Sequence, residues 1–213
     1  MIAGTAVLNA RAKRLPRAEA RRRRRLNLTG PLVALGLLCA VAFVVESGAE
    51  NWSALYLESR LGGDPAVGGL GPAAFAAAMV AGRLGGGALE RHLGERRLLV
   101  AGALVAASGL VVAAAAPSSA PALAGFALTG IGISVAAPTL FGAAGRRADA
   151  DDRGSAVAAV TTVSYLGFLC GPPLIGAVAG GFGLRAALVL LAGVAVLYGA
   201  GAASSSALGR RGS

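Results

Sequence analysis

Two glutamates stand one helical turn apart beside the most apolar part of this chain. Glu46 and Glu50 lie in the stretch VVESGAENWSALYL, which follows the apolar run from Pro31 to Val45. Residues four apart share one face of a helix. Two close carboxylates repel each other, so that one of them readily keeps a proton. The pair therefore suits proton exchange, or the binding of a cationic or polyhydroxyl ligand.

The composition indicates that these acids lie in a membrane protein. Hydrophobic residues make up 55% of the 213-residue chain and charged residues only 14%, with a mean hydropathy of +0.69. A soluble domain of this length needs more charge to cover its surface. Both cysteines, Cys39 and Cys170, lie in apolar runs, and His92 is the single histidine. We therefore expect no metal, no cofactor and no enzymatic chemistry, and the net charge of +10 does not indicate nucleic acid.

Apolar runs divide the chain into membrane spans. A helix needs ~20 apolar residues to cross the hydrocarbon, and its backbone must satisfy its own hydrogen bonds there. The sequence therefore predicts an all-α polytopic membrane protein with six transmembrane helices within residues 31–205. A basic linker at 1–30 precedes them, whose first eight residues resemble the tail of an earlier helix, and a tail at 206–213 follows. The predicted spans are Pro31–Leu57, Pro65–Leu89, Leu98–Ala116, Pro121–Gly145, Ser155–Gly181 and Ala186–Ala203.

The distribution of positive charge predicts the orientation. If the N-terminus is cytoplasmic, the cytoplasmic side carries every lysine and arginine except Arg60 and Arg185. Retention of positive charge on the cytoplasmic side is the rule for membrane proteins. We therefore expect a multi-pass protein of the cell membrane with both termini in the cytoplasm. The arginine-rich start also resembles a secretion signal, but five further spans and the large Leu38 before Cys39 argue against that interpretation.

Polar residues are unevenly shared among the spans. The third and sixth contain almost none, so we expect them at the periphery, where they can face lipid. The first, fourth and fifth carry polar side chains and, with the second, are expected to surround a polar space. This division predicts two stacked three-helix repeats.

The first span carries most of the candidate site. Glu46 lies ~22 Å beyond Pro31 along a helix, past the bilayer midplane, where a charge costs several kcal/mol unless it is paired, protonated or hydrated. In the alternative interpretation both acids are hydrated and structural, and Trp52 and Tyr56 are interfacial anchors. The candidate substrate- and proton-binding residues are Glu46, Glu50, Asn51, Trp52, Tyr56 and Tyr165.

The loop between the second and third spans resembles a known motif. It reads GRLGGGALERHLGERRLL, from Gly82 to Leu99. A glycine-rich helix end followed by an acid, a base, a glycine and a basic pair is similar to the loop motif of the major facilitator superfamily. The usual acid of that motif is an aspartate close to the glycines; here Gly85, Gly86 and Gly87 fill that region, and only Glu90 is available. The resemblance implies a conformational latch formed by Arg83, Glu90, Arg91, Arg96 and Arg97.

Other stretches resemble the same family. ENWSALYL is similar to the end of a seventh helix, and RGSAVAAVTTVSYLGFLCGPPLIGAVA to an eleventh helix with a Gly-Pro-Pro bend. The resemblance implies the C-terminal half of a twelve-helix transporter, helices seven to twelve, which moves a small solute by secondary transport. Its expected partners are the lipid bilayer, the solute, and a missing N-terminal half or a second copy. The alternative is a truncated membrane protein that binds a partner without transporting.

Overall fold

The computed structural model describes residues 29–208, and all regular secondary structure there is helical. The basic linker at 1–30, with its helix tail at 1–8, and the tail at 206–213 lie almost wholly outside the described residues. A π-helical turn, Tyr56–Arg60, continues the first helix, and a short 3-10 turn, Ser206–Leu208, follows the last. The helices are α1 (Gly30–Leu55), α2 (Pro65–Leu93), α3 (Glu95–Ala115), α4 (Ser119–Ile133), α5 (Ala136–Arg147) and α6 (Arg153–Ser204).

Five helical stretches are long and apolar enough to cross a membrane, counting α4 and α5 together. These two form one stretch, 119–147, interrupted at Ser134 and Val135. Pro138 explains the interruption, because it has no backbone N–H to donate to the carbonyl of residue 134. The fourth predicted span is therefore two helices joined by a short turn.

The fifth stretch, α6, contains 52 residues and a break at Gly183, where φ is +84° and ψ is 163°. A straight helix of that length would extend ~78 Å, far beyond the ~30 Å hydrocarbon layer. The segment before the break runs parallel to α1. A Cβ built on Gly36 would lie 2.9 Å from the Cβ of Val163, and one on Gly48 would lie 3.3 Å from Ile175.

The segment after the break packs on the same helix in the opposite direction. Gly48 also faces Leu191, and Gly201 faces Leu38. Residue numbers on α6 now fall as those on α1 rise, so the chain reverses at Gly183. The predicted count of six spans corresponds to counting these two segments separately.

Close glycine contacts join α3 to α4. Gly102 faces the carbonyl of Gly132, and Gly109 faces that of Gly125, so that a Cβ at either would approach backbone oxygen to 2.5 or 2.6 Å. Small residues at such positions let helix backbones approach closely in lipid. The third predicted span therefore does not face lipid on all sides, because ten of the 21 residues of α3 are buried.

The second helix, α2, packs least against the rest of the described chain. Only 22% of its apolar window is buried, and Leu84 is 83% exposed. Gly69, Gly85 and Gly87 have no neighbouring atom near the place of a Cβ. The start of this helix is nevertheless capped, because the Asp64 side chain accepts a hydrogen bond of 2.9 Å from the backbone N–H of Val67 in its first turn.

Candidate functional site

An ion pair joins the first two helices. A carboxylate oxygen of Glu46 on α1 lies 3.8 Å from a guanidinium nitrogen of Arg83 on α2. That distance brings opposite charges together but is too long for a direct hydrogen bond. The Glu46 side chain is 16% exposed and that of Arg83 48% exposed. Each group is thus paired, and the arginine keeps donors available to a further partner.

The ion pair lies far from the ends of both helices. Glu46 follows Gly30 by sixteen residues, or ~24 Å of helix, in a stretch of 31 residues. Arg83 precedes Leu93, the last residue of α2, by ten residues, or ~15 Å. The long arginine side chain covers the difference in height between the two residues. A charge at this depth is tolerated only when it is paired or lies in a polar cavity.

An aromatic cluster lies one turn from the acid. Phe43, three residues before Glu46, makes edge contacts with Phe141, Tyr165 and Phe168 at centroid distances of 6.1 to 6.4 Å. Edge-to-face pairs of this kind are favourable beyond their buried area. Tyr165, on the first segment of α6, is 55% exposed, so its ring and hydroxyl are accessible. The structure thus groups Tyr165 with the Glu46 region through Phe43.

The other polar residues near the end of α1 occupy different positions. Glu50 and Asn51 are exposed. The Asn51 amide donates to the backbone carbonyl of Ser47 at 2.8 Å. Trp52 packs its ring beside Gly176 of α6, and within residues 29–208 its indole N–H has no acceptor. These three residues remain candidates with no shared geometry that joins them to the ion pair.

Tyr56 lies within the helix packing and is 1% exposed. Its hydroxyl donates to the backbone carbonyl of Ala114 at 3.1 Å, and Nε of Arg185 donates to the same oxygen at 2.6 Å. The contact joins the end of α1, the end of α3 and the second segment of α6. The structure therefore gives this predicted site residue a packing contact away from Glu46.

The predicted latch residues divide between two places. Arg83 pairs with Glu46, whereas Glu90 lies at the corner where α2 meets α3. There Arg146 of α5 approaches Glu95 to 2.7 Å and Glu90 to 3.8 Å, and the hydroxyl of Thr139 donates to Glu90 at 3.2 Å. The corner therefore connects α2, α3 and α5 through one arginine.

The remaining latch candidates surround this contact without joining it. Arg91 and Arg97 are exposed, and Arg96 donates to the backbone carbonyl of Ser205 at 2.9 Å. Sequence analysis missed Arg146 and Phe43. The arginine pair after Gly145 offered a signal, since it marks the end of a span near the loop motif. Phe43 gave none, because one phenylalanine in an apolar run is not distinctive.

No metal centre accompanies these residues in the described part of the chain, 29–208, where no three His, Cys, Asp or Glu side chains are arranged to hold an ion. The arrangement instead provides an ion pair within the membrane span, an accessible aromatic ring, and a charged corner that joins three helices. Bundles of apolar helices with a paired charge at depth are typical of polytopic transport proteins.

The chain belongs to the Major Facilitator Superfamily, whose family profile matches residues 35–207. It is 40% identical over 150 residues to an uncharacterized MFS-type transporter of Yersinia pestis, a match covering 70% of this chain and 39% of that protein. It is 34% identical over 166 residues to membrane protein MosC of Rhizobium meliloti, covering 78% of this chain and 40% of that protein. The chain thus spans about 40% of the length of the curated relatives it matches.

Solved structures show the same fold. The crystal structure of peptide transporter POT (E310Q mutant) superposes with a TM-score of 0.73 at 18% identity, covering 84% of this chain and 39% of that one. The complex of the same mutant with alafosfalin gives a TM-score of 0.71 over 80% of this chain and 37% of that one. The major-facilitator-type fold and the membership predicted from the loop motif are therefore confirmed. A transporter family also agrees with the expectation that the chain is not an enzyme.

Proposed function

We propose that this chain forms the C-terminal six-helix half of a secondary active transporter, which moves a small solute across the cell membrane and couples that movement to protons through Glu46. The observation that carries the proposal is the Glu46–Arg83 pair, which joins α1 to α2 at 3.8 Å, away from the ends of both helices. Family membership supports transport, and the pair supports a mechanism.

A paired acid at this depth can exchange partners. Protonation of Glu46 removes the attraction to Arg83, and the guanidinium, already 48% exposed, becomes available to an anionic or polar group of the solute. Release of the proton restores the pair and expels the competing group. Binding of the solute and of the proton is thereby linked through one arginine.

An N-terminal six-helix unit is the proposed partner. Its surface would cover the open side of α2, where Val80 and Leu84 are exposed and small residues leave room for another helix. A second copy of this chain is the alternative occupant. The solute would bind between the two units, with Tyr165 and the Glu46–Arg83 pair facing it.

The proposed orientation places the corner between α2 and α3 in the cytoplasm, together with both termini. Arg91, Arg96, Arg97, Arg146 and Arg147 all lie at that end of the described chain, as the retention of positive charge requires. Contacts of Arg146 with Glu90 and Glu95 would then hold the cytoplasmic ends together in one conformation and release them in the other.

Proton flux in vesicles tests the proposal. The chain joined to its N-terminal unit is reconstituted into liposomes loaded with a pH-sensitive dye, and a panel of small organic solutes is added outside. We expect at least one solute to acidify or alkalinise the interior. We expect Glu46→Gln to abolish that proton flux while leaving exchange of labelled solute for unlabelled solute, because exchange requires no net proton release.

A matched variant sharpens this test. Glu58→Gln removes an acid at the end of the same helical stretch, outside the predicted site, and should retain proton flux. Proton flux that survives in Glu46→Gln would exclude the coupling role of Glu46. The absence of any solute movement by the joined protein would instead favour a partner-binding scaffold.

A further inference from the structure

The corner between α2 and α3 contains a cavity of about 870 Å³. That volume falls within the ~300–1,000 Å³ typical of small-molecule pockets. Its walls come from three parts of the chain: residues 87–97 around the corner, the end of α5, and Ala207 with Leu208. The cavity is separate from the Glu46–Arg83 pair, which lies on earlier turns of α1 and α2.

Positive charge dominates the cavity. Its lining contains five arginines and two glutamates, Glu90 and Glu95. One arginine, Arg146, contacts both glutamates, at 3.8 and 2.7 Å. The two negative charges of the lining are therefore directed at a single guanidinium.

Three other arginines keep their charge uncompensated. Among the residues that the structure describes, no carboxylate oxygen lies within ion-pair distance of Arg91, Arg96 or Arg97. Arg96 uses one donor on the neutral carbonyl oxygen of Ser205, which fixes the side chain without neutralising it. Arg91 and Arg97 flank it on the same corner and are exposed to the cavity.

Such a set of guanidinium groups matches one kind of ligand. Planar forks with several N–H donors bind phosphate oxygens in pairs, and a phosphate offers more oxygens and more charge than a carboxylate. We propose that this cavity binds a phosphate group, held by Arg91, Arg96 and Arg97. The group belongs either to the headgroup of an anionic phospholipid or to a soluble phosphorylated molecule.

The cavity volume leaves room for more than the phosphate itself. A bound phosphate would also lie close to Arg146 and would compete with Glu90 and Glu95 for it. Occupancy would therefore weaken the contact of α5 with α2 and α3. The proposal does not depend on transport, since binding is measured on the chain alone.

Two binding measurements distinguish the sources of phosphate. The full chain is purified in an uncharged maltoside detergent and titrated with inorganic pyrophosphate by calorimetry, with sodium chloride of equal ionic strength as reference. In parallel, the chain is incubated with phosphatidylglycerol or phosphatidylcholine, and retained lipid is counted by native mass spectrometry. Saturable binding of pyrophosphate assigns a soluble ligand, and selective retention of phosphatidylglycerol assigns a lipid.

Two of the three double variants carry the same change of charge. Arg91→Gln/Arg97→Gln should weaken the observed binding at least about tenfold, since charge-assisted hydrogen bonds are lost. Arg60→Gln/Arg153→Gln, at exposed sites outside the cavity, should change it less than about twofold. Arg91→Lys/Arg97→Lys keeps the charge and checks folding, and it should recover part of the affinity.

Two results would overturn the assignment. One is the absence of binding of both pyrophosphate and phosphatidylglycerol by the unaltered chain. The other is an equal loss in the cavity variant and in the control variant, which would show attraction by net charge alone.

Discussion

The carbonyl oxygen of Ala114 accepts two hydrogen bonds from distant parts of the chain, and this redundancy can be measured. Tyr56 donates to it at 3.1 Å and Arg185 at 2.6 Å. Ala114 is 2% exposed and lies in the last turn of α3, where a carbonyl has no partner within its own helix. The two side chains therefore satisfy an acceptor that the helix leaves open.

The structure predicts strongly non-additive mutations at this oxygen. Tyr56→Phe should cost about 0.5–1 kcal/mol, the usual net value of one hydrogen bond between membrane helices, because Arg185 still satisfies the carbonyl. Arg185→Met should cost about 1–2 kcal/mol, since its bond is charge-assisted. The double variant leaves the carbonyl buried without a donor, which adds about 1–3 kcal/mol. We therefore expect a coupling free energy of at least about 1 kcal/mol.

Unfolding in mixed detergent micelles measures these values. Sodium dodecyl sulfate is titrated into the full chain while the fluorescence of Trp52, the single tryptophan, reports the contact of α1 with α6. Additivity within about 0.3 kcal/mol would refute the shared acceptor. A Tyr56→Phe variant of unchanged stability but altered solute affinity would instead return Tyr56 to the binding site.

Three further predictions follow from the packing and the corner. Gly167→Ala should destabilise by about 1–3 kcal/mol, because its Cβ would meet the carbonyl oxygen of Ala40. Gly69→Ala, beside open space, should be neutral or stabilise by up to ~1 kcal/mol, and equal effects of the two variants in the same titration would contradict the packing. Gly183→Ala should lower the free energy of unfolding by about 1–3 kcal/mol, since φ is +84° there. A smaller loss in the same titration would show that a residue with a side chain is tolerated where the chain reverses. Arg146→Gln should lower the free energy of unfolding by no more than about 1 kcal/mol, as expected of a half-exposed ion pair. It should nevertheless accelerate amide hydrogen exchange at the α2–α3 corner, and unchanged exchange there would argue against the latch.

Apolar runs and proline predicted most of the fold. The predicted starts at Pro31 and Pro65 fall within one residue of the observed helix starts, because proline at the first turn ends the preceding loop. Pro138 accounts for the interruption of the fourth span at Ser134 and Val135. The division of α6 was also predictable, from FGLR between two apolar runs, although the direction of its second segment became visible only through contacts with α1.

The pairing of side chains was not predictable to the same degree. Glu46 was singled out because an acid at membrane depth needs a partner, but the sequence did not name that partner. Arg83 was assigned to the latch from a local motif, whereas helix packing brings it to Glu46 from 37 residues away along the chain. One polar residue of the fourth span gave a misleading signal. Thr129 donates to nearby backbone carbonyls and is buried, so its hydroxyl supports helix packing instead of lining a polar space.

The paired glycines of α3 and α4 restrict which parts of this molecule can move. Gly102 and Gly109 are seven residues apart, as are Gly125 and Gly132 opposite them, so the two backbones touch at two heights. Sliding either helix by one turn would set a side chain against the opposing main chain. These two helices must therefore move together as one unit. Enlarging any one of these four glycines alone would force the two helices apart.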